Sequence, residues 1–349
     1  MLTNFAERLK SARKMSGFSM ETLAHKAGQA VTKQAISKYE KGLMNPGGDA
    51  LVALSRALGV KSDYFFRPHK VRLGELEFRK KSRLGRKEEE RIKYRTLDFL
   101  ERYLEIEDIL SDKAVFKNPL SDPHVRKPED AEKAALDVRR KWKLGEAPIS
   151  NLIELLEDKG IRIHEIETDD NFNGISAWAD EIPVIAVRFQ DDLLRKRFTI
   201  SHELGHILLK IHEKNDSKTR EKLCHIFAGA FLLPERVIKA ELGSNRNKIA
   251  LWELKKIKGI YGISIQAIMA RARHLGIISD HTYRNFCITV NSQGWKMNEP
   301  GEYLGKEHAN RFDQLVYHAA AEEIITFSRA AELLNLPLSK FRQAFQIVS

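Results

Sequence analysis

The chain has 349 residues, of which 42% are apolar and 31% are charged, and it carries a formal net charge of +11. This length suits two or three domains, and the two cysteines form no CxxC pair, which argues against a disulfide framework or a cysteine zinc site. The positive charge suits a polyanionic partner. The start resembles no signal peptide and no apolar run could span a bilayer, so we expect a cytoplasmic protein without membrane contact.

The first seventy residues have apolar spacing that predicts five short helices. Ser19 and Thr32 are suitable N-cap residues for the second and third helices, and Gly28 permits a tight turn between them. Two short helices joined in this way are the signature of a helix-turn-helix motif, whose second helix enters the major groove of DNA.

The predicted recognition helix has the sequence TKQAISKYEK, with Ile36 and Tyr39 facing the core. Gln can pair bidentately with adenine, and Lys can donate to guanine or to phosphate. Residues 1–70 hold 12 Lys and Arg against 5 Asp and Glu, a balance that suits phosphate contact. The candidate DNA-binding residues are those on the outer face: Thr32, Lys33, Gln34, Ser37 and Lys38.

The pattern LAHKAG…VTKQAISKYEKG…NPGGDALVALSRALGV resembles the Xre/Cro-type helix-turn-helix family over nearly all of residues 5–66. The resemblance implies that a homodimer binds a double-stranded DNA operator. Met20 stands where family members usually carry a Gln that contacts the DNA backbone. The alternative is a helical bundle that serves dimerisation or protein docking.

Residues 71–130 are predicted to be a charged helical connector followed by a proline-containing linker. Three- and four-residue steps separate the apolar side chains Tyr94, Leu97, Leu100 and Leu104, so an amphipathic helix should pack on a partner surface or another protomer. The connector also carries a basic run, which we interpret as a solvated face rather than a DNA-contacting arm. This run consists of Arg79, Lys80, Lys81, Arg83, Arg86 and Lys87.

The segment RKRFTISHELGHILLK contains an HExxH motif. On a helix, His202 and His206 lie on one face and can bind one ion together. Glu203, on a neighbouring flank, can act as general base on a water whose pKa zinc lowers to about 7. The motif therefore predicts one zinc ion per chain, with a buried structural helix as the alternative.

Catalytic zinc needs a third protein ligand, and two residues are candidates. His212 lies six residues after His206, but Leu209 favours continuing the helix, which would turn His212 away. Glu221, which opens a second predicted helix, is the preferred ligand. His225, one turn further, could orient a ligand, donate to an oxyanion or be structural, and we rank the structural role first.

The string FTISHELGHILL, followed by ExxCHxFAxxFLLP, resembles the ImmA/IrrE metallopeptidase family. The resemblance implies a zincin-like α+β domain with a small sheet, including strands near 161–165, 174–177 and 184–187. In such peptidases an edge strand binds the substrate backbone, and residues 182–187 are the candidate here. Family members usually show Ala-Asn where this chain has Cys224-His225.

The chain is thus predicted to be a multidomain, mainly α protein. The predicted domains are the helix-turn-helix domain at 1–70, the connector and linker at 71–130, the metallopeptidase domain at 131–280, and a small helical C-terminal module at 281–349. Within the last module, residues 288–301 are predicted to be strand and turn, and FSRAAELLNLPLSKFRQAF to be packing or oligomerisation helices.

The sequence is compatible with two main functions. The first is a DNA-binding regulator whose zinc peptidase cleaves a protein. The family resemblance implies that this substrate is a helix-turn-helix repressor. A toxin partner and the chain's own linker are alternative substrates. The second is a repressor or antitoxin whose peptidase-like domain senses a ligand or holds a partner. A structural zinc site ranks lowest, because its fourth ligand would have to be His212 or His225.

Overall fold

The computed structural model describes residues 2–28, 30–67, 76–78, 85–168, 172–189, 192–212, 214–296 and 298–345. Within them the chain forms sixteen α-helices, one 3-10 helix and six short strands, so the predicted mainly helical fold is confirmed. No helix in these ranges has the length and apolar character of a membrane span. Contacts divide the chain into a first unit of Met1–Lys113, Trp178–Asp180 and Phe312–Ser349, and a second unit of Ala114–Ala177 and Glu181–Arg311.

The first unit begins with the five helices that the sequence predicts. The side chains of Ser19 and Thr32 accept hydrogen bonds from the backbone nitrogens of Thr22 and Ala35, which confirms both N-caps. Gly28 makes the intervening turn with a φ of +64°. The helices are α1 (Leu2–Met15), α2 (Met20–Lys26), α3 (Lys33–Glu40), α4 (Gly48–Leu58) and the 3-10 helix η1 (Ser62–Phe66). Their shared core includes Leu9, Leu23, Ile36, Leu54 and Phe65.

The connector continues the first unit with β1 (Leu76–Phe78) and the 25-residue helix α5 (Arg86–Leu110). Helix α5 packs against α1, where buried Arg8 Nη1 lies 2.5 Å from buried Glu101 Oε2. Of the basic run, Arg79 to Arg83 lie outside the described residues, whereas Arg86 and Lys87 are exposed at the start of α5.

The second unit contains the three strands predicted from the sequence, each at its predicted place. Helix α9 packs against both α6 and α8 and so forms the centre of this unit. The elements are β2 (His124–Val125), α6 (Pro128–Lys141), α7 (Leu152–Asp158), β3 (Arg162–Ile166), β4 (Gly174–Ala179), β5 (Ile182–Arg188), α8 (Leu193–Leu208), β6 (Lys210–Ile211), α9 (Ser217–Leu232), α10 (Glu235–Leu242), α11 (Leu251–Tyr261), α12 (Ile265–His274) and α13 (Asp280–Ser292).

Strand β5 lies between β3 and β4 in the sheet. It pairs in parallel with β3, and Ile163 stands opposite Ile185. The expectation that residues 182–187 form an edge strand is therefore wrong, because neighbouring strands occupy both sides of β5. The apolar run from Val184 to Val187 is buried throughout, as is typical of a central strand.

Helix α8 ends earlier than the sequence predicts. Leu209 is extended, with φ −92° and ψ 132°, and its side chain is buried. The next two residues pair in parallel with β2, so that His124 lies opposite Lys210. Burial and strand pairing thus override the helix propensity of Leu209.

The prediction of strand and turn at 288–301 is wrong at its beginning. Helix α13 extends to Ser292, and Ser279 caps its start by accepting a hydrogen bond from the backbone nitrogen of Thr282. Residues 288–290, Ile-Thr-Val, favour a strand locally, but the helix buries Val290 while leaving Ile288 65% exposed.

Three C-terminal helices return the chain to the first unit: α14 (Arg311–Ala321), α15 (Phe327–Leu333) and α16 (Leu338–Ala344). Their core includes Phe99 and Tyr103 of α5, whose ring centroids each lie 5.4 Å from that of Phe312. The amphipathic face of α5 therefore packs on helices of its own chain. Arg67 of the helix-turn-helix region also pairs with Glu332 of α15 at 2.9 Å.

Candidate functional site

Helix α8 presents the two histidines of the HExxH motif side by side. His202 and His206 are one turn apart, and their Nε2 atoms lie 3.2 Å from each other. Both side chains are largely buried, with 10% and 13% exposure. The Nε2 atoms of the two imidazoles thus lie close enough together to bind one ion.

Helix α9 brings Glu221 to the same point. Its Oε2 lies 3.1 Å from His202 Nε2, and its Oε1 lies 3.2 Å from His206 Nε2. The structure therefore brings together all three residues that the sequence predicts as metal ligands. Sequence separation alone could not ensure this meeting, since it depends on how α8 and α9 pack.

These three residues fit a zinc ion. Ligands at 2.0–2.1 Å from a tetrahedral zinc are separated from each other by about 3.3 Å, and the three observed separations are 3.1, 3.2 and 3.2 Å. Two imidazoles and a carboxylate are also a donor set that suits a borderline-soft divalent ion. The carboxylate of Glu221 adds negative charge at the position.

A glycine allows α8 and α9 to approach closely enough. A Cβ placed on Gly205 would lie 3.2 Å from the Phe227 ring and 3.4 Å from Cys224 Cα on α9. A larger residue at position 205 would need Phe227 or the α9 backbone to move by a few tenths of an ångström. Gly205 is thus part of what positions Glu221 against His202 and His206.

A residue of the sheet holds the candidate base, Glu203, in place. Ser176 of β4 donates a hydrogen bond from Oγ to Glu203 Oε2 at 2.8 Å, and both residues are buried. Ser176 was not predicted as a site residue from the sequence. Ser176 stands out as a polar residue in the otherwise apolar strand GISAWA. The sequence of a strand does not show, however, which helix faces that strand.

Two residues on α9 contact the rear and the side of the histidines. Cys224 Sγ lies 3.4 Å from His206 Nδ1, the ring nitrogen on the far side from Glu221. The ring of His225 lies 4.3 Å from that of His202 and 5.8 Å from that of Phe198. Although His225 is exposed, desolvation by these neighbours and the proximity of His202 hold its pKa below the usual value.

The alternative ligand His212 lies elsewhere. It is exposed after β6, and its Nδ1 accepts a hydrogen bond from the backbone nitrogen of Lys214 at 3.2 Å. Among the described residues, the group able to hold a metal contains His202, Glu221 and His225, with His206 adjoining, and it does not include His212.

The second candidate site is the outer face of α3. Thr32, Lys33, Gln34 and Lys38 are exposed and Ser37 is half-buried, while Ile36 and Tyr39 are buried in the core, as expected. Lys33 Nζ lies 3.3 Å from Glu21, but both side chains are so exposed that this pair holds Lys33 only weakly. The face is therefore free to meet a polyanion.

Met20, which replaces the usual Gln, begins α2 and packs partly buried against the core of the five helices. Its thioether offers no strong hydrogen-bond donor to a phosphate. Any contact with the DNA backbone near position 20 must therefore come from neighbouring groups of the protein.

Comparisons with known proteins match two parts of the chain to known families. The helix-turn-helix family model matches residues 9–65. The model of the IrrE N-terminal-like domain, from the peptidase M78 family, matches residues 156–273, which include His202, His206 and Glu221. An SPbeta prophage-derived uncharacterized HTH-type transcriptional regulator, YonR of Bacillus subtilis (strain 168), is 38% identical over 63 residues, which are 18% of this chain and 56% of that protein. The match thus spans about half the length of this relative.

Proposed function

We propose that this chain, which joins a helix-turn-helix domain to an IrrE N-terminal-like domain of the peptidase M78 family, is a DNA-binding regulator that cleaves a protein with a zinc-dependent site. The observation that carries the proposal is the triangle formed by His202, His206 and Glu221, with sides of 3.1–3.2 Å, beside the buried carboxylate of Glu203. If the two histidines only stabilised a buried helix, they would not require a carboxylate from a second helix close to both of their rings.

In this proposal, His202, His206 and Glu221 hold the ion. When bound, zinc lowers the pKa of water and polarises the carbonyl of a peptide. Glu203 accepts the proton of the attacking water and then delivers it to the departing amine. Ser176 holds Glu203 Oε2 at 2.8 Å, so that one oxygen is fixed while the other is available for the proton.

The DNA-binding part of the proposal rests on α3. Its exposed Lys33 and Lys38 favour phosphate and guanine, and Gln34 can read adenine. As in other helix-turn-helix proteins, a homodimer would place two such helices in successive major grooves. The protein substrate would be a helix-turn-helix repressor or a toxin, brought near the operator by this domain.

The test compares wild type with Glu203→Gln in three assays: metal content, operator binding, and cleavage of candidate repressors and toxins encoded near the gene. The variant should retain the metal and operator binding but lose cleavage by about a hundredfold or more, because it loses the proton acceptor. Equal cleavage by both proteins would contradict the proposed role of Glu203. A ligand-sensing or partner-holding domain would instead leave every function of the variant unchanged.

A further inference from the structure

His225 is a fourth side chain at the metal cluster, and the proposed function does not use it. It lies one turn after Glu221 on α9. The ligand atoms of His202, Glu221 and His225 all lie within 4.8 Å of one another. His225 is exposed to solvent.

The hydrogen bond of His225 defines its tautomer. Its Nδ1 lies 2.7 Å from the backbone oxygen of Glu221. Because a carbonyl oxygen can only accept, Nδ1 must carry the proton, and in the neutral ring Nε2 has a free lone pair. Histidine ligands of metals are typically held in this way, with the second ring nitrogen donating to a carbonyl.

This tautomer distinguishes between the roles open to His225. A neutral ring protonated on Nδ1 cannot donate a hydrogen bond from Nε2 to a developing oxyanion. It can donate its Nε2 lone pair to a cation. Ligation of the ion therefore agrees better with the observed hydrogen bond than oxyanion stabilisation does.

The distances also permit ligation. A fourth ligand of a tetrahedral zinc ion would lie about 3.3 Å from each of the other three, and His225 is within 4.8 Å of the ligand atoms of His202 and Glu221. A ring nitrogen of His225 therefore lies at most about 1.5 Å farther from these two ligand atoms than tetrahedral zinc would need. An exposed side chain can make such a movement without repacking a core.

We infer that His225 is a fourth protein ligand, which closes the zinc site in the resting protein and is displaced when a peptide enters. The inference rests on the proposed function, since it needs an ion held by His202, His206 and Glu221. Four protein ligands leave no open coordination position, so the closed site is inactive until an incoming peptide takes the place of the imidazole. The substrate itself thereby opens the site.

The test uses the full-length protein loaded with one zinc ion per chain and X-ray absorption spectroscopy to count the imidazole ligands. Wild type should show three imidazoles and His225→Asn two. Zinc affinity, measured by competition with a chelator, should fall at least about tenfold in His225→Asn. His212→Asn, which removes an exposed histidine outside the cluster, should keep three imidazoles and wild-type affinity.

Two outcomes would overturn the inference, and they can be told apart. Two imidazoles in wild type, with no change in His225→Asn, would show that His225 is not a ligand and would leave the proposed function standing. Failure of wild type to bind zinc stoichiometrically would overturn both. The wild-type imidazole count is decisive by itself, so the test does not depend on the folding of the variant.

Discussion

Gln34 and Lys38 are exposed on α3, and their expected contributions to DNA binding differ in kind. Gln34→Ala should lower discrimination between the operator and single-base variants by about 1–3 kcal/mol, because a bidentate base contact is lost. Lys38→Ala should weaken binding to all sequences and reduce the salt slope by about 1, because a phosphate contact is lost. Both are measured by titrating an operator, selected by the wild-type protein from random DNA, over a range of salt concentrations.

The control for Lys38→Ala is Lys248→Ala, which removes the same charge from an exposed position in the second unit. It should change neither the affinity nor the salt slope. If Gln34→Ala retains full discrimination, Gln34 does not read a base.

Glu157, on α7, is a buried carboxyl whose pKa burial raises from the ordinary 4.5 to about 8. Its Oε2 accepts a long hydrogen bond of 3.4 Å from the backbone nitrogen of Arg311. Because the folded-state pKa is above the unfolded one, the second unit should be most stable below about pH 4.5 with respect to this group. That stability is lost as the pH rises through 8.

Glu157→Gln should therefore raise the melting temperature at pH 8–9 and flatten its dependence on pH between 5 and 9. The matched control is Glu154→Gln, since Glu154 is an exposed glutamate of the same helix. Thermal unfolding followed by circular dichroism at several pH values measures both variants. A variant that melts at the wild-type temperature across this pH range would contradict the assignment.

Residues that carry recognisable chemistry could be predicted from the sequence, whereas the residues that support them could not. The N-caps Ser19 and Thr32 could be predicted because a cap depends on residues only three positions away. Ser176 and Cys224 could not, because their partners Glu203 and His206 lie on other elements. The ligand set stays a prediction until a metal is measured, although the structure brings its three members together.

At the scale of elements, the contact between α8 and α9 determines whether the cluster forms. Gly205→Ala would place a Cβ 3.2 Å from the Phe227 ring. We expect an overpacking cost of about 1–3 kcal/mol, larger than the gain in helix propensity of about 1 kcal/mol. The variant should be less stable, and its zinc affinity should fall as Glu221 moves away from the histidines.

Gly229→Ala is the matched control, because it introduces the same methyl group into α9, where the nearest atom is Arg271 Cδ at 3.7 Å. With room available, it should gain up to about 1 kcal/mol of helix propensity and keep zinc affinity. Chemical denaturation and chelator competition measure both variants. Equal effects of the two substitutions would show that the close approach at Gly205 does not matter.

The wrong predictions about strand position and helix length concern contacts between parts of the chain that are distant in sequence. The run at 182–187 predicted a strand correctly, but its neighbours decide whether a strand is central or at an edge, and they are separate in sequence. Helix α8 ends at Leu208 because the next residues pair with β2, more than eighty positions earlier. Local propensity contains no information about such partners.

At the scale of the whole molecule, the chain leaves the first unit at Lys113 and returns to it at Phe312. Apart from Trp178–Asp180, the second unit is thus an insertion between α5 and α14. The two parts of the first unit share the core around Phe312, which is 5% exposed. The stability of the helix-turn-helix region should therefore depend on C-terminal residues.

Phe312→Ala should destabilise the first unit by about 3–5 kcal/mol, as expected for a buried aromatic residue. Scanning calorimetry should show the transition that abolishes DNA binding at a lower temperature, with zinc content unchanged. Leu304→Ala removes a large apolar side chain that is 88% exposed and should leave both quantities unchanged. An unchanged transition in Phe312→Ala would mean that the C-terminal helices unfold separately from the helix-turn-helix region.

The most direct test of the central claim is the metal content of the purified full-length protein, determined by mass spectrometry after zinc is supplied and excess is removed. The measurement includes His202→Ala and Glu221→Ala, with His212→Ala as the control. We predict about one zinc per chain in wild type and in His212→Ala, and a loss of zinc in the other two variants. A wild-type protein that holds no metal, or one whose metal survives both substitutions, would contradict the assignment of a zinc peptidase site.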